Sequence, residues 1–464
     1  MYRRLGMAVL ISPPERHALG QARRKQLRRQ DHAHWRPPAT RPSPLTTIAR
    51  SMRGRIPSLV ALKYERMLAS PFGFFRGAAP VMAADLAALP NTGIIAQICG
   101  DAHVRNLGAY AAPDGRLIFD INDFDETCAA PFEWDVKRMA ASLVLAGREN
   151  GQKSSACRDA VHILGLSYRR LAATLARTPV VEVARYQVHR LERVTSVSEA
   201  LRKAERETPL STLGRFTIAS NATKAGLAPR RFKEEPPLLT RLPQAQARAV
   251  LASFARYRDS LLPERRHFLD QYVPVDVAFK VVGIGSVGLR DYLVYLEGNG
   301  ENDPLFLQIK EEPGSAYAPF LGGQGAEPRA RSHQGQRVAE GQRAMQWQSD
   351  PFLGWTTIAN RDYLVRQLND HKASVNPEEL QGGGLAEYAT VCGELLARGH
   401  ARSGDVHLIT GYLGAGSRQD KFDRALAAFA EAYADQTEAD WHALVASRKH
   451  ASAKAKASAS PAAK

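Results

Sequence analysis

Gly100-Asp101-Ala102-His103-Val104-Arg105-Asn106, followed by Phe119-Asp120-Ile121-Asn122-Asp123-Phe124-Asp125-Glu126, is the densest polar cluster set between apolar runs in this 464-residue chain. Residues 93–99, Gly-Ile-Ile-Ala-Gln-Ile-Cys, read as a buried strand leading into it. Residues 109–119, with Pro113-Asp114-Gly115 at their centre, read as a hairpin leading from the first cluster to the second. An Asp and an Asn five apart on a loop, then further Asp residues beyond a hairpin, suit two tasks. One is orienting a nucleophile and the other is holding a metal bound to phosphates. Asp and Asn in loops also serve as turn formers and caps, so the cluster needs a second feature to decide its meaning.

That feature lies far downstream. Residues 273–282 are an apolar, β-branched run. Gly283-Ile284-Gly285-Ser286-Val287-Gly288 follows, then strand patterns at 292–296 and 305–311 around a Gly298-Asn299-Gly300 turn. In a dinucleotide fold the glycine motif would lead into a helix; here it leads into a strand. Strand, glycine loop, strand, turn and strand with a terminal lysine form the nucleotide clamp of protein kinases. Gly283, Gly285 and Gly288 would let the backbone approach phosphate oxygens. Lys310 would bind the phosphates, and Glu340, on a helix expected at 330–347, would hold that lysine. The other reading is a plain hairpin with a surface lysine.

Mg²⁺ takes a few hard oxygen ligands, which Asn106 and Asp123 could supply, with Asp125 or Asp120 as alternates. Asp101 could accept or orient a hydroxyl proton. His103, lacking a second His at ligand spacing, reads as a hydrogen-bonding loop residue, and Cys99 as core. In Ser70–Gly77 the three Phe read as core anchors in a loop, and Arg76 is the one residue there suited to meet an anion.

These residues carry a resemblance. GDAHVRN resembles the catalytic loop of aminoglycoside phosphotransferases and related small-molecule kinases, whose pattern is HGDxxxxN. INDFDET followed by PFEWDVKRMA resembles their metal-binding motif and the helix after it. From about residue 20 to 445 the chain is similar to a bacterial family known as domain of unknown function 2252, through SPFGFFRGAA, GDAHVRNLG, FDINDFDET, PFEWDVKR and HARSGD. The resemblance implies an α+β, protein-kinase-like two-lobe fold that uses ATP and Mg²⁺. By it Asp101 takes the catalytic position, Asn106 the first metal position, Asp123 the second, and Asp135 the position of a buried brace for the loop. Cys99 stands where the phosphotransferases often have His, and the long gap from Asn106 to Asp123 leaves Asp120, Asp123 and Asp125 all open. The glycine loop and Lys310 follow the catalytic loop instead of preceding it, so the order implies circular permutation. The strand ending at Gln367 would then lead to an adenine-binding hinge at 367–369.

The domain reading runs as follows. Residues 1–55 form a basic, largely extended arm, and residues 56–270 a helical lobe with the catalytic loop and metal motif, all-α from 133 to about 260. Residues 271–370 form a small β-lobe, 371–446 C-terminal helices, and 447–464 a disordered tail. The net charge of +16 resides in the ends: residues 1–55 hold 13 Lys and Arg against Glu15 and Asp31, and residues 447–464 hold five with no acid. These two excesses account for all of it, so the body is balanced and the basic ends suit at most weak contact with nucleic acid. Four scattered cysteines fit a reduced, cytoplasmic setting, and no apolar run reaches the roughly 18 residues of a membrane span. The expected function is phosphate transfer from ATP to an unidentified small-molecule or protein acceptor. The alternatives are AMP transfer to protein by the same fold, or a nucleotide-binding pseudoenzyme or regulatory module.

Overall fold

A computed structural model describes residues 11–459 apart from 189–193, 220–229, 282, 301, 322–332, 369–370, 415 and 417–419. The architecture is mixed α+β with antiparallel sheets, as expected. In chain order the strands are β1 (Ile95–Ile98), β2 (Leu107–Ala111), β3 (Leu117–Ile121), β4 (Cys128–Pro131), β5 (Thr217–Ala219), β6 (Arg230–Phe232) and β7 (Leu239–Arg241). They continue with β8 (Val273–Lys280), β9 (Asp291–Glu297), β10 (Pro304–Glu311), β11 (Gly354–Ile358), β12 (Arg361–Gln367) and β13 (Ala373–Ser374).

The main sheet has the order β11-β12-β10-β9-β8-β7, with every neighbour antiparallel. Strand β10 lies at its centre, paired with β9 and β12, and is buried along its whole length. That placement fixes Lys310 opposite Leu364 on one side and Asp291 on the other. The expected hairpin is β2–β3, extended by β13, and β1 pairs with β4 across the two polar clusters.

The helix Glu133–Glu149 opens with Glu133 and Asp135, whose charges complement the helix dipole, and is buried on all sides through Gly147. It packs with Ser154–Leu175, Gly384–Ser403 and Lys421–Ala459 into one apolar core that also takes in β1 and β3. A second core, with Val294, Leu307 and Val365, lies under the main sheet.

Four local expectations change. The basic arm contains the helices Pro13–Ala22 and Pro44–Ser51 docked on the C-terminal helices. Its arginines have partners there that their charge alone does not reveal. Arg24 donates to the carbonyls of Tyr412 and Gly411, and Arg41 pairs with Asp85 and Asp440. Pro71–Gly77 is a helix capped by Ser70, not a loop; its three Phe are buried. The stretch expected to be all-α contains β5, β6 and β7, the last joining the main sheet. The last helix runs to Ala459, past the start of the expected tail. Among the described residues no helix is long and apolar enough to cross a membrane.

Candidate functional site

Strand β1 delivers the chain into Gly100–Asn106. Gly100 adopts φ +82°, and a Cβ there would lie 2.2 Å from the Glu126 carbonyl oxygen, so only glycine fits the turn. The buried Asp135 carboxylate accepts the backbone N–H groups of Cys99 at 2.8 Å and Gly100 at 2.9 Å. His400 lies 3.3 Å from the same carboxylate, and the Tyr317 hydroxyl donates to the Gly100 carbonyl at 2.8 Å. Brace residues from three separated parts of the chain therefore hold one loop. Cys99 itself is buried in the core, where burial pushes its thiol far up.

Within the loop, Asn106 Nδ2 donates to the Asp101 carbonyl at 2.7 Å, and Asn122 N donates to the Asn106 carbonyl at 2.8 Å. The amide N–H₂ of Asn106 thus turns onto its own loop, and the residue lines the cleft. Asp101 Oδ1 accepts from Arg138 Nε at 2.6 Å, and Arg138 is completely buried, its guanidinium 4.3 Å from the Phe75 ring. His103 sits 3.7 Å from Asp101 Oδ2, but burial and the cations Arg76, Arg138 and Arg105 push it far below the usual histidine range. It acts as a neutral hydrogen-bonding group.

The acidic run divides its carboxylates between two jobs. Asp120 is buried and takes Arg398, the Trp347 N–H at 3.0 Å and the Ile121 N–H at 2.7 Å, so it is structural and leaves the set of metal alternates. Asp125 pairs with Lys310 and accepts from Ser286 Oγ at 3.1 Å. Asp123 Oδ1 lies 4.0 Å from Lys310 Nζ. Enclosure in the cleft and the like charge of Asp125 raise Asp123 to about 6. Against the upward push of burial, Lys310 holds Asp125 well below the ordinary carboxylate range. Burial opposes the charge of Lys310, but Asp125, Asp123 and Glu312 raise it above the ordinary lysine value.

Glu340 does not meet Lys310. It is exposed on the helix Gln334–Met345, where it accepts from Gln336 at 2.7 Å. That helix turns Val338, Ala339, Gln342 and Met345 inward, which carries position 340 to its outer face. Besides Asp125 and Asp123, the carboxylate near Lys310 is Glu312, two residues further along the chain at 3.9 Å, fully buried. From the same helix, Arg337 braces the acidic run by donating to the carbonyls of Asp125 at 2.8 Å and Thr127 at 2.7 Å.

The glycine loop closes over the acidic run. Gly283 and Gly288 take φ of +64° and +88°. Three cations before the catalytic loop grip its carbonyls: Arg55 reaches Val287 at 2.6 Å, Lys63 reaches Gly285 at 2.6 Å, and Arg66 reaches Gly283. Burial and Arg55 lower Lys63 to about 7. Lys63 and Arg66 stand on the helix Pro57–Leu68 and Arg55 just before it, where the sequence signals only an amphipathic face, so these grips were not legible.

A cavity of about 350 Å³ opens between the loop and the main sheet. Its wall carries Arg76, Arg105, Lys280, Lys310, Arg366 and Lys372, against a single carboxylate, Asp123. Only Lys310 among these cations is ion-paired within the described residues. Burial lowers Lys280 to about 8, and burial with Arg366 lowers Lys372 to about 7. Cations so crowded and desolvated mark a place where an anion would be stabilised. Gln367 lines the adjoining hollow with Tyr110, Asp350 and Arg366, and its backbone N–H donates to Asp350. Asn369, the far end of the expected hinge, lies outside the described residues.

Residues 55–447 match the family model described as an uncharacterized protein conserved in bacteria, DUF2252. The chain belongs to that family. Neither a curated protein nor a solved structure matches it.

Proposed function

We propose that the chain is an ATP- and Mg²⁺-dependent phosphotransferase of circularly permuted, protein-kinase-like two-lobe fold, passing the terminal phosphate to a hydroxyl acceptor. The observation that carries this reading is the meeting of Lys310 with Asp125 and Asp123, at 185 positions of separation for the first pair, beside the sheet-side cations Lys280, Arg366 and Lys372, which have no ion pair among the described residues. A triphosphate is the ligand class that such a wall and a glycine loop suit.

The donor set fits the metal. No group of three or more His, Cys, Asp or Glu is arranged to hold an ion unaided among the described residues. Mg²⁺ on a nucleotide needs only one or two carboxylates plus phosphate oxygens, and the Asn106 oxygen with Asp123 would provide its protein share. Bound there, Mg²⁺ would neutralise phosphate charge. Lys310, released from Asp125 or shared with it, would hold phosphate oxygens. Asp101, fixed by Arg138, would orient the acceptor hydroxyl.

The test is incubation with Mg²⁺ and ATP labelled separately on the γ and α phosphates, alongside Asp101→Ala and Lys310→Ala. Transfer of the γ label, falling by about 10²–10³ or more in each variant, is expected. Transfer of the α label would identify AMP transfer instead. Nucleotide binding without transfer to any acceptor offered would favour the regulatory reading.

A further inference from the structure

We propose that Arg76 and Arg105 form a second anion site, separate from the nucleotide's, which holds a phosphate monoester carried by the acceptor; this rests on the phosphotransferase reading above. The substrate class is therefore a small hydroxyl compound that is already phosphorylated.

The cavity's cations fall into two groups by origin. Lys280, Lys310 and Arg366 come from the main sheet, and Lys372 from the segment just after it. Arg76 and Arg105 come from the other wall: Arg76 from the end of the helix Pro71–Gly77, Arg105 from the loop that carries Asp101 and Asn106. Arg76 lines both the cationic cavity and the smaller hollow beside it that contains Asp101, His103 and Lys63. It thus stands between the proposed phosphate region and the carboxylate that would receive an acceptor hydroxyl.

Neither arginine is satisfied by the protein. Arg76 Nε is buried without a hydrogen-bond partner among the described residues, and its guanidinium lies 6.0 Å from the Phe72 ring. Burial and Arg105 lower it to about 10. Arg105 donates from its guanidinium only over a long distance among the described residues, 3.5 Å to Asn376 Oδ1. The nearby acids are engaged elsewhere: Asp101 with Arg138, and Asp125 with Lys310. Asp123 is the open carboxylate, and it faces the metal position.

Charge balance then favours a second anion. With Mg²⁺ bound, a nucleotide triphosphate keeps only a small net negative charge, which Lys310 and the other sheet-side cations, less the charges of Asp123 and Asp125, already balance. Two more guanidinium groups beside the catalytic loop, neither of them fully exposed, are unfavourable unless the acceptor brings negative charge of its own. The guanidinium fork matches phosphate oxygens in pairs.

The experiment is calorimetric titration of inorganic phosphate into the full chain, alone and saturated with Mg²⁺ and a non-hydrolysable ATP analogue. Phosphate is expected to bind the saturated protein. Arg76→Gln and Arg105→Gln should each weaken phosphate by about tenfold or more, the effect of losing one charge-assisted contact, while the analogue's affinity stays within about threefold. Lys310→Ala should do the reverse. Melting curves matching the parent chain show that the variants fold. Displacement of phosphate by the analogue would overturn the proposal, as would equal losses of both ligands in the arginine variants. Acetate binding more tightly than phosphate would overturn the choice of phosphate. An analogue that fails to bind while phosphate still depends on both arginines would sink the phosphotransferase reading and leave the anion site standing.

Discussion

The N-terminal arm and the cleft are both rich in arginine, yet they use it in opposite ways. In the arm the charge is consumed by the fold: Arg16 pairs with Asp405, Arg24 covers helix-end carbonyls, and Arg41 bridges Asp85 and Asp440. In the cleft Arg76, Arg105, Lys280, Arg366 and Lys372 line open space without an ion pair among the described residues. The count of charge along the sequence points the other way, since the ends hold the whole excess and the body sums to zero. Local excess depends on which acids are withdrawn into structural pairs, as Asp120 is by Arg398, and only the fold decides that.

Removing a charge should therefore have unlike effects in the two regions. Arg41→Ala leaves Asp85 and Asp440 buried without their shared cation and should cost about 3–5 kcal/mol in urea unfolding. A loss under about 1 kcal/mol would break the contrast.

The reverse sign is expected for Asp291 on the sheet side. Burial raises it to about 7. Gln308 donates to one oxygen at 2.6 Å, and the other is buried with no partner. The folded chain keeps a proton there that the unfolded chain loses near pH 4, so stability falls as pH rises from about 4 to 7. Asp291→Asn should flatten that slope and add roughly 2–4 kcal/mol at pH 8, read from unfolding curves across pH. An unchanged slope would assign the pH dependence to other groups.

A polyanion should stabilise the cleft but not the arm. Tripolyphosphate at a hundred times its dissociation constant should add about 2.7 kcal/mol, and Lys372→Gln should blunt this while Arg16→Gln does not. The smallest effect is expected for Arg76→Gln without anion. Its stability should stay within about 1 kcal/mol of the parent, since no ion pair is lost. A cost as large as that of Arg41→Ala would mean that Arg76 is structural.

The local patterns in the two polar clusters were legible because each element announces itself. An apolar strand precedes Gly100, a Pro-Asp-Gly turn separates β2 from β3, and an acidic first turn starts the helix at Glu133. The downstream strands, with Lys310 on β10, were legible from alternating apolar runs bounded by glycines. What failed was the outward or inward sense of one helical position, Glu340, because docking sets which face of a helix turns inward. The gripping cations Arg55, Lys63 and Arg66 and the brace from Arg138 were missed for a related reason. Their partners are backbone carbonyls or residues distant in sequence, and neither leaves a spacing to read. Arg105 and Arg138 did stand inside the quoted stretches, but among the other polar residues there nothing set them apart.

The clasp made by the arm also imposes a timetable. Arg16, Arg24 and Arg41 find their partners 389, 388 and 399 positions later, so a segment made early docks on one made much later. Until Asp440 has emerged, Arg41 can hold only Asp85, and the carbonyls that Arg24 covers do not exist until Gly411 and Tyr412 are made. Helices and sheet can form as they are made, but closure of the molecule waits for the helix that carries Asp440, and a chain halted short of it holds an unfastened, strongly cationic arm.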